Sequence, residues 1–182
     1  MKPMSKSVIL VVEDDEPKQR SIVGMLMEHF QNHFEIKVTE SLSGAIEVLT
    51  GNEVVFAIVD MSLPTYDFVK DKRGGGTPQG YGGADILRFI DSETEETRTL
   101  VLTQYEEFVL SKDGQLRDTR SLEAMLREEL DDRFLGVVHY DGQHGAWRKT
   151  RSFRQEIPHE SWGCRAENVH RQLWRGACTA AG

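Results

Sequence analysis

The sequence predicts an α/β fold in which a parallel β-sheet is covered by helices on both faces. Apolar runs of five or six residues recur along the chain, and amphipathic stretches with helical spacing separate them. The two most apolar runs are Val8–Val12 and Val54–Val59, both rich in β-branched side chains. Runs without polar alternation are typical of parallel strands that are buried on both faces.

The first predicted strand, Val8–Val12, leads into an amphipathic helix. Asp15 is its expected N-cap, and Pro17 lies in the first turn, where a missing N–H has no consequence. The buried stripe of this helix repeats every four residues and consists of Ile22, Leu26 and Phe30. The alternating segment Phe34–Val38 then predicts a second, more exposed strand.

The second helix is expected to begin at Ser41 or Ser43 and to end at Gly51 and Asn52 in a left-handed C-cap. The central strand, Val54–Val59, follows it. The later predicted elements are a third helix at Ala84–Asp91, a fourth strand at Thr99–Thr103, a polar connection at Phe108–Thr119, a fourth helix at Ser121–Asp132, a fifth strand at Leu135–Tyr140 and a fifth helix around Trp147–Ile157.

Strand–helix alternation of this kind predicts a doubly wound, five-stranded parallel sheet of flavodoxin-like order 2-1-3-4-5. One domain is expected over residues 6–157, with a flexible, glycine-rich insertion at 65–83 and a C-terminal tail at 158–182. The insertion lacks the Gly-Lys-Ser/Thr ending of a phosphate-binding loop, so a nucleotide site is not expected there.

Composition excludes several classes of protein. The net charge of −8 argues against direct nucleic-acid binding, and no apolar run is long enough to insert into a membrane. The five apolar residues near the N-terminus are too few for a signal-peptide core. Cys164 and Cys178 make neither a disulfide framework nor a zinc site, so a cytoplasmic protein is expected.

Acidic side chains follow the first and third strands. Glu13 and Asp14 come directly after the first, and Asp60 comes directly after the third. Strands one and three are neighbours in the predicted order, so these carboxylates would meet at the carboxyl edge of the sheet. Crowded carboxylates favour a hard divalent cation, Mg²⁺ above all. Two simpler interpretations stay open: Asp60 caps a turn, and the acids after the first strand serve the helix N-terminus.

Three motifs give the chain a resemblance to the receiver domain of two-component response regulators. They are Ile9–Glu16, which contains the acid pair, Ile58–Pro64 with its Asp-x-x-Leu-Pro ending, and Leu100–Thr103. The resemblance implies that Asp60 is a phospho-acceptor, modified by a sensor histidine kinase or a phosphotransfer protein. Such a domain is a signalling module rather than an enzyme, and its downstream protein partner is not evident from the sequence.

The resemblance also implies a metal site and a switch residue. Glu13, Asp14 and Asp60 would hold Mg²⁺ together with the backbone carbonyl of Ser62. The Thr103 hydroxyl would bind the new phosphoryl oxygen. A carboxylate is a competent nucleophile toward phosphorus, and a metal supplies the charge neutralisation that phosphoryl transfer needs.

The chain departs from the family at the end of the fifth strand. The family has a lysine there, whose charge pairs with the phosphoryl group. This chain has Val138–Gly142 at that place, and the next lysine after this segment is Lys149. The alternative is therefore a degenerate receiver that acts as a phosphorylation-independent protein-interaction module. A Mg²⁺-dependent phosphatase is a weaker candidate, because such enzymes commonly have a second Asp two residues after the nucleophile, where this chain has Ser62.

Overall fold

A computed structural model describes residues 6–30, 34–64, 82–104, 107–109, 116–142 and 145–149. The strands are β1 (Val8–Val12), β2 (Glu35–Thr39), β3 (Val54–Val59), β4 (Arg98–Thr103), β5 (Glu107–Val109), β6 (Leu116–Asp118) and β7 (Phe134–His139). The helices are α1 (Glu16–Phe30), α2 (Leu42–Gly51), α3 (Gly82–Glu93) and α4 (Thr119–Leu130). Single 3₁₀ turns lie at Asp131–Arg133 and Ala146–Lys149.

The main sheet has five parallel strands in the order β2-β1-β3-β4-β7. The predicted fold class and strand order are therefore confirmed. Val12 pairs with Val59, so the residues after them, Glu13 and Asp60, begin at the same level of the sheet. Thr103 pairs with His139 at the ends of β4 and β7. All of these residues lie along one carboxyl edge.

Each face of the sheet has its own apolar layer. One layer joins the sheet to α2, α3 and α4, and the other joins it to α1 and the 3₁₀ turn that contains Trp147. On α1 the apolar contacts come from Ile22, Met25 and Leu26, which lie on one face of the helix. Helices on both faces explain why β1 and β3 consist of apolar residues without alternation. Among the described residues no helix has the length and apolar character needed to cross a membrane.

Several local predictions were wrong. The predicted polar connection before α4 contains the antiparallel pair β5 and β6, whose three-residue strands are too short to give a periodic signal. Asn52 is extended rather than left-handed, and its side-chain amide donates to the Val48 carbonyl at 2.8 Å, which caps α2 from the side chain. Gly82 and Gly83 begin α3 instead of ending a flexible insertion.

Residues 65–81, 150–157 and the 158–182 tail lie outside the described residues.

The N-cap of α2 is Ser41, whose buried hydroxyl accepts the Gly44 N–H at 3.1 Å. We expect Ser41→Ala to lower the free energy of unfolding by about 1–2 kcal/mol, because a buried amide loses its acceptor. Ser92, whose exposed hydroxyl donates to the Phe89 carbonyl near the end of α3, is the control, and Ser92→Ala should cost less than about 0.5 kcal/mol. Urea denaturation of both variants checks this. Equal losses would contradict the assignment of Ser41 as the cap.

Candidate functional site

The carboxyl ends of β1 and β3 bring three acids together. Glu13, Asp14 and Asp60 each offer a carboxylate oxygen, and these three atoms all lie within 4.8 Å of one another. Glu13 and Asp60 are buried, with exposed fractions of 2% and 4%, whereas Asp14 is exposed. This is the convergence that the adjacent strands predict. It creates a concentration of negative charge that the fold has to neutralise.

Lys18 supplies a positive charge from the first turn of α1. Its Nζ lies 2.6 Å from Glu13 Oε2 and donates a hydrogen bond to Asp60 Oδ1 at 2.8 Å. The contact with Glu13 is an ion pair without the alignment of a hydrogen bond. Only 1% of Lys18 is exposed, which is rare for a lysine unless it is paired. The ammonium therefore bridges the two buried carboxylates.

Backbone amides hold the other oxygen of each buried carboxylate. The Asp15 N–H donates to Glu13 Oε1 at 3.0 Å, and the Ser62 N–H donates to Asp60 Oδ2 at 2.9 Å. Each of the four oxygens thus contacts either an amide or the ammonium of Lys18. Buried charged groups are stable only when paired and hydrogen-bonded in this way. The orientation of Asp60 is consequently fixed by β3, by the turn after it and by α1.

Burial and the neighbouring charges both shift the pKa values of these groups. Burial raises the pKa of Glu13 to about 7, and the neighbouring Asp60 adds to the rise although Lys18 counteracts it. Burial alone would lower the pKa of Lys18, but the charges of Asp60 and Glu13, with the hydrogen bond to Asp60, raise it above its ordinary value. Burial also raises the pKa of Asp14. Lys18 therefore remains charged at neutral pH, and Glu13 takes up a proton more readily than an ordinary glutamate.

The N-terminus of α3 packs directly against the segment that carries Asp60. Gly83 donates its N–H to the Met61 carbonyl at 3.1 Å. A Cβ on Gly83 would lie 2.2 Å from the Asp60 carbonyl oxygen, and one on Gly82 would lie 2.6 Å from that of Leu63. Only glycine permits such a close approach of two backbones. The glycine pair therefore braces the turn that presents Asp60.

The donor set fits a hard divalent cation. Three carboxylates with oxygens this close match the ligands that Mg²⁺ takes in proteins, and the exposed Asp14 leaves the cluster open to solvent on one side. The three acids carry more negative charge than one ammonium cancels. A divalent ion would nevertheless meet carboxylates that already bind Lys18.

Thr103 and the end of β7, where the family lysine would be expected, lie along the same edge. Thr103 is buried at the end of β4, and its carbonyl accepts the Tyr140 N–H at 2.7 Å. His139 at the end of β7 is exposed. The ammonium of Lys18 lies 5.7 Å from the centre of the Tyr140 ring, within the range of a cation–π contact. The role of the Ser62 carbonyl as a metal ligand stays a prediction.

Reasoning from the sequence missed Lys18. A lysine in the first turn of a helix is normally solvated, and the family resemblance implies a lysine at the end of the fifth strand instead. The signal was present, because Lys18, Ile22 and Met25 have the spacing of one helical face, and the last two are buried. A charged residue on an apolar stripe, four residues after an acid pair, indicates a buried ion pair.

Comparisons with known proteins find relatives of low sequence identity that cover most of the chain. The chain is 27% identical over 142 residues to the Detocs response regulatory protein DtcB of Enterobacter cloacae, covering 77% of this chain and 92% of that protein. It is 25% identical over 139 residues to the uncharacterized protein y4jR of Sinorhizobium fredii, covering 76% and 90% respectively. No family model matches the chain.

Solved structures extend the comparison to the fold. The signal receiver domain of an HD domain-containing protein from Pseudomonas fluorescens Pf-5 superposes with a TM-score of 0.53 at 17% identity. The alignment covers 84% of this chain and 94% of that domain. Identity at this level carries the fold rather than the function. With its strand order and its acid-lined carboxyl edge, the chain has the receiver-domain fold of response regulators.

Proposed function

We propose that the chain is a phospho-accepting receiver of a two-component phosphorelay, with Asp60 as the acceptor. The observation that carries the proposal is the oriented Asp60 carboxylate at the carboxyl end of β3, within 4.8 Å of the Glu13 and Asp14 carboxylates. A carboxylate held in one orientation next to an acidic, cation-binding cluster can attack phosphorus. The similarity to the Detocs response regulatory protein of Enterobacter cloacae supports the same function.

In the proposed reaction, an oxygen of Asp60 attacks the phosphorus of a phosphohistidine on a histidine kinase or phosphotransfer protein. The O–P bond forms as the P–N bond breaks, and the electron pair stays on the imidazole nitrogen, which takes up a proton. Glu13, Asp14, Asp60 and the Ser62 carbonyl would hold Mg²⁺, which supplies charge neutralisation when bound. The Ser62 N–H orients the attacking carboxylate. After the transfer, the Thr103 hydroxyl would donate a hydrogen bond to an oxygen of the phosphoryl group.

Asp60→Asn is expected to abolish formation of the phosphoryl adduct. Wild-type protein, Asp60→Asn and the control Asp85→Asn would be treated with acetyl phosphate and Mg²⁺, and their intact masses compared. Asp85 lies on α3 and pairs with Arg88 at the surface, so its variant should accept phosphate like the wild type. The adduct should be removed by hydroxylamine, which cleaves acyl phosphates.

An adduct that persists in Asp60→Asn would contradict the assignment of Asp60. Absence of an adduct in the wild type, with acetyl phosphate and with a phosphorylated histidine donor, would reject phospho-acceptance. The phosphorylation-independent interaction module would then be the better description. It predicts that wild type and Asp60→Asn bind the downstream partner with equal affinity.

A further inference from the structure

The ammonium of Lys18 lies on the two carboxylates that a bridging cation would use. It contacts Glu13 Oε2 at 2.6 Å and Asp60 Oδ1 at 2.8 Å, and backbone amides contact the remaining two oxygens. The chain therefore neutralises and orients its own buried carboxylates. A protein with this arrangement does not need a metal ion to keep Asp60 in position.

A divalent ion bound to the same oxygens would come close to this ammonium. Mg²⁺ binds carboxylate oxygens at about 2.1 Å, so an ion on Asp60 Oδ1 would lie within about 5 Å of Lys18 Nζ. Like charges at that separation in a buried site repel strongly. Three carboxylates against one ammonium still leave the cluster negative. The cluster therefore attracts a divalent ion, but the charge of Lys18 lowers its affinity for that ion.

We infer that Lys18 is a built-in cation that competes with divalent metal for the Glu13 and Asp60 carboxylates. Metal binding requires the ammonium to leave at least one of them, so Lys18 sets the divalent-ion affinity of the site. Asp14, which is exposed, provides the first contact for an entering ion. The inference rests on the metal ligands of the proposed function and is independent of phosphoryl transfer.

Lys18→Met is expected to bind Mn²⁺ at least about tenfold more tightly than the wild type. The measurement is the EPR signal of free Mn²⁺ during titration of the 182-residue chain. Lys18→Arg should stay close to the wild type, because it keeps the charge. Lys37→Met is the surface control, since Lys37 pairs with Glu35 and Asn52 away from the acid cluster. Equal or weaker binding by Lys18→Met would overturn the inference and leave the metal site intact. No binding by the wild type or by Lys18→Met would reject the metal site and the inference together.

A second measurement uses only the wild type and so does not depend on the folding of a variant. Reductive methylation followed by peptide mass analysis reports how accessible each lysine is. Without metal, Lys18 should react far more slowly than Lys37, because it is buried between two acids. Saturating Mg²⁺ should increase labelling of Lys18 severalfold and leave Lys37 unchanged. Labelling of Lys18 that does not respond to saturating Mg²⁺ would contradict displacement.

Discussion

Lys18→Met is expected to lower the free energy of unfolding by about 3–5 kcal/mol at neutral pH, because removing one partner leaves buried charge uncompensated. Glu13 and Asp60 would remain buried at 2% and 4% exposure without their shared ammonium. The methylene stem of lysine is matched by methionine, so packing changes little. Urea denaturation of the two proteins measures the difference.

The matched control removes the charges on both sides. The triple variant Glu13→Gln, Lys18→Met, Asp60→Asn should recover most of the lost stability, because a buried ion pair replaced as a whole is often neutral in its effect. Lys37→Met, at the surface, should change stability by less than about 1 kcal/mol. A Lys18→Met protein as stable as the Lys37→Met protein would contradict the buried bridge.

The effect of Lys18→Met should also depend on pH. The folded-state pKa of Glu13, about 7, lies above its ordinary value of 4.5. A raised folded pKa means that the associated stability is fully present below pH 4.5 and is lost as the pH rises through about 7. Lys18 lowers the pKa of Glu13, so in the Lys18→Met variant this pKa should rise further. Below pH 7 Glu13 keeps its proton in both folded proteins, so the gap between variant and wild type should widen mainly as the pH rises above about 7, which urea denaturation at several pH values measures.

Gly83→Ala is expected to destabilise the protein by at least about 2–3 kcal/mol, which is the upper part of the range for overpacking. The new Cβ would lie 2.2 Å from the Asp60 carbonyl oxygen and 2.7 Å from the Met61 Cα. Both atoms belong to the backbone at the end of β3, so no flexible side chain can give way. The strand end or the first turn of α3 would have to move.

Gly24→Ala is the control, because Gly24 lies inside α1 and a Cβ there meets no atom within 4 Å. That variant should gain about 0.5–1 kcal/mol, as an alanine does over a glycine in a helix interior. Opposite signs for the two glycines in chemical denaturation would support the close approach of α3 to β3. Equal stability of Gly83→Ala and the wild type would show that this approach does not exist.

The sequence was informative where one local property decides the structure. Unbroken apolar runs are sufficient to predict β1 and β3, and an acid at the end of each predicts the acidic edge of the sheet. Contacts between residues that are distant in the chain leave no such local signal. The pairing of Lys18 with Asp60 joins residues 42 positions apart, and its energy comes from burial rather than from any local pattern. In the sequence Gly82 and Gly83 look like part of a loop. Their role becomes evident only from the backbone after β3, which packs against them.

The charged centre is assembled entirely from residues 13–60, on β1, α1 and β3. It is complete once β3 pairs with β1, and its ionic balance does not require an ammonium from the far edge strand. A substitution at the end of β7 would therefore leave the positive charge of the centre in place, because Lys18 supplies it. The exposed His139 at the end of β7 is therefore not needed to balance the charge, whereas Tyr140 still contributes its ring to the surroundings of the Lys18 ammonium.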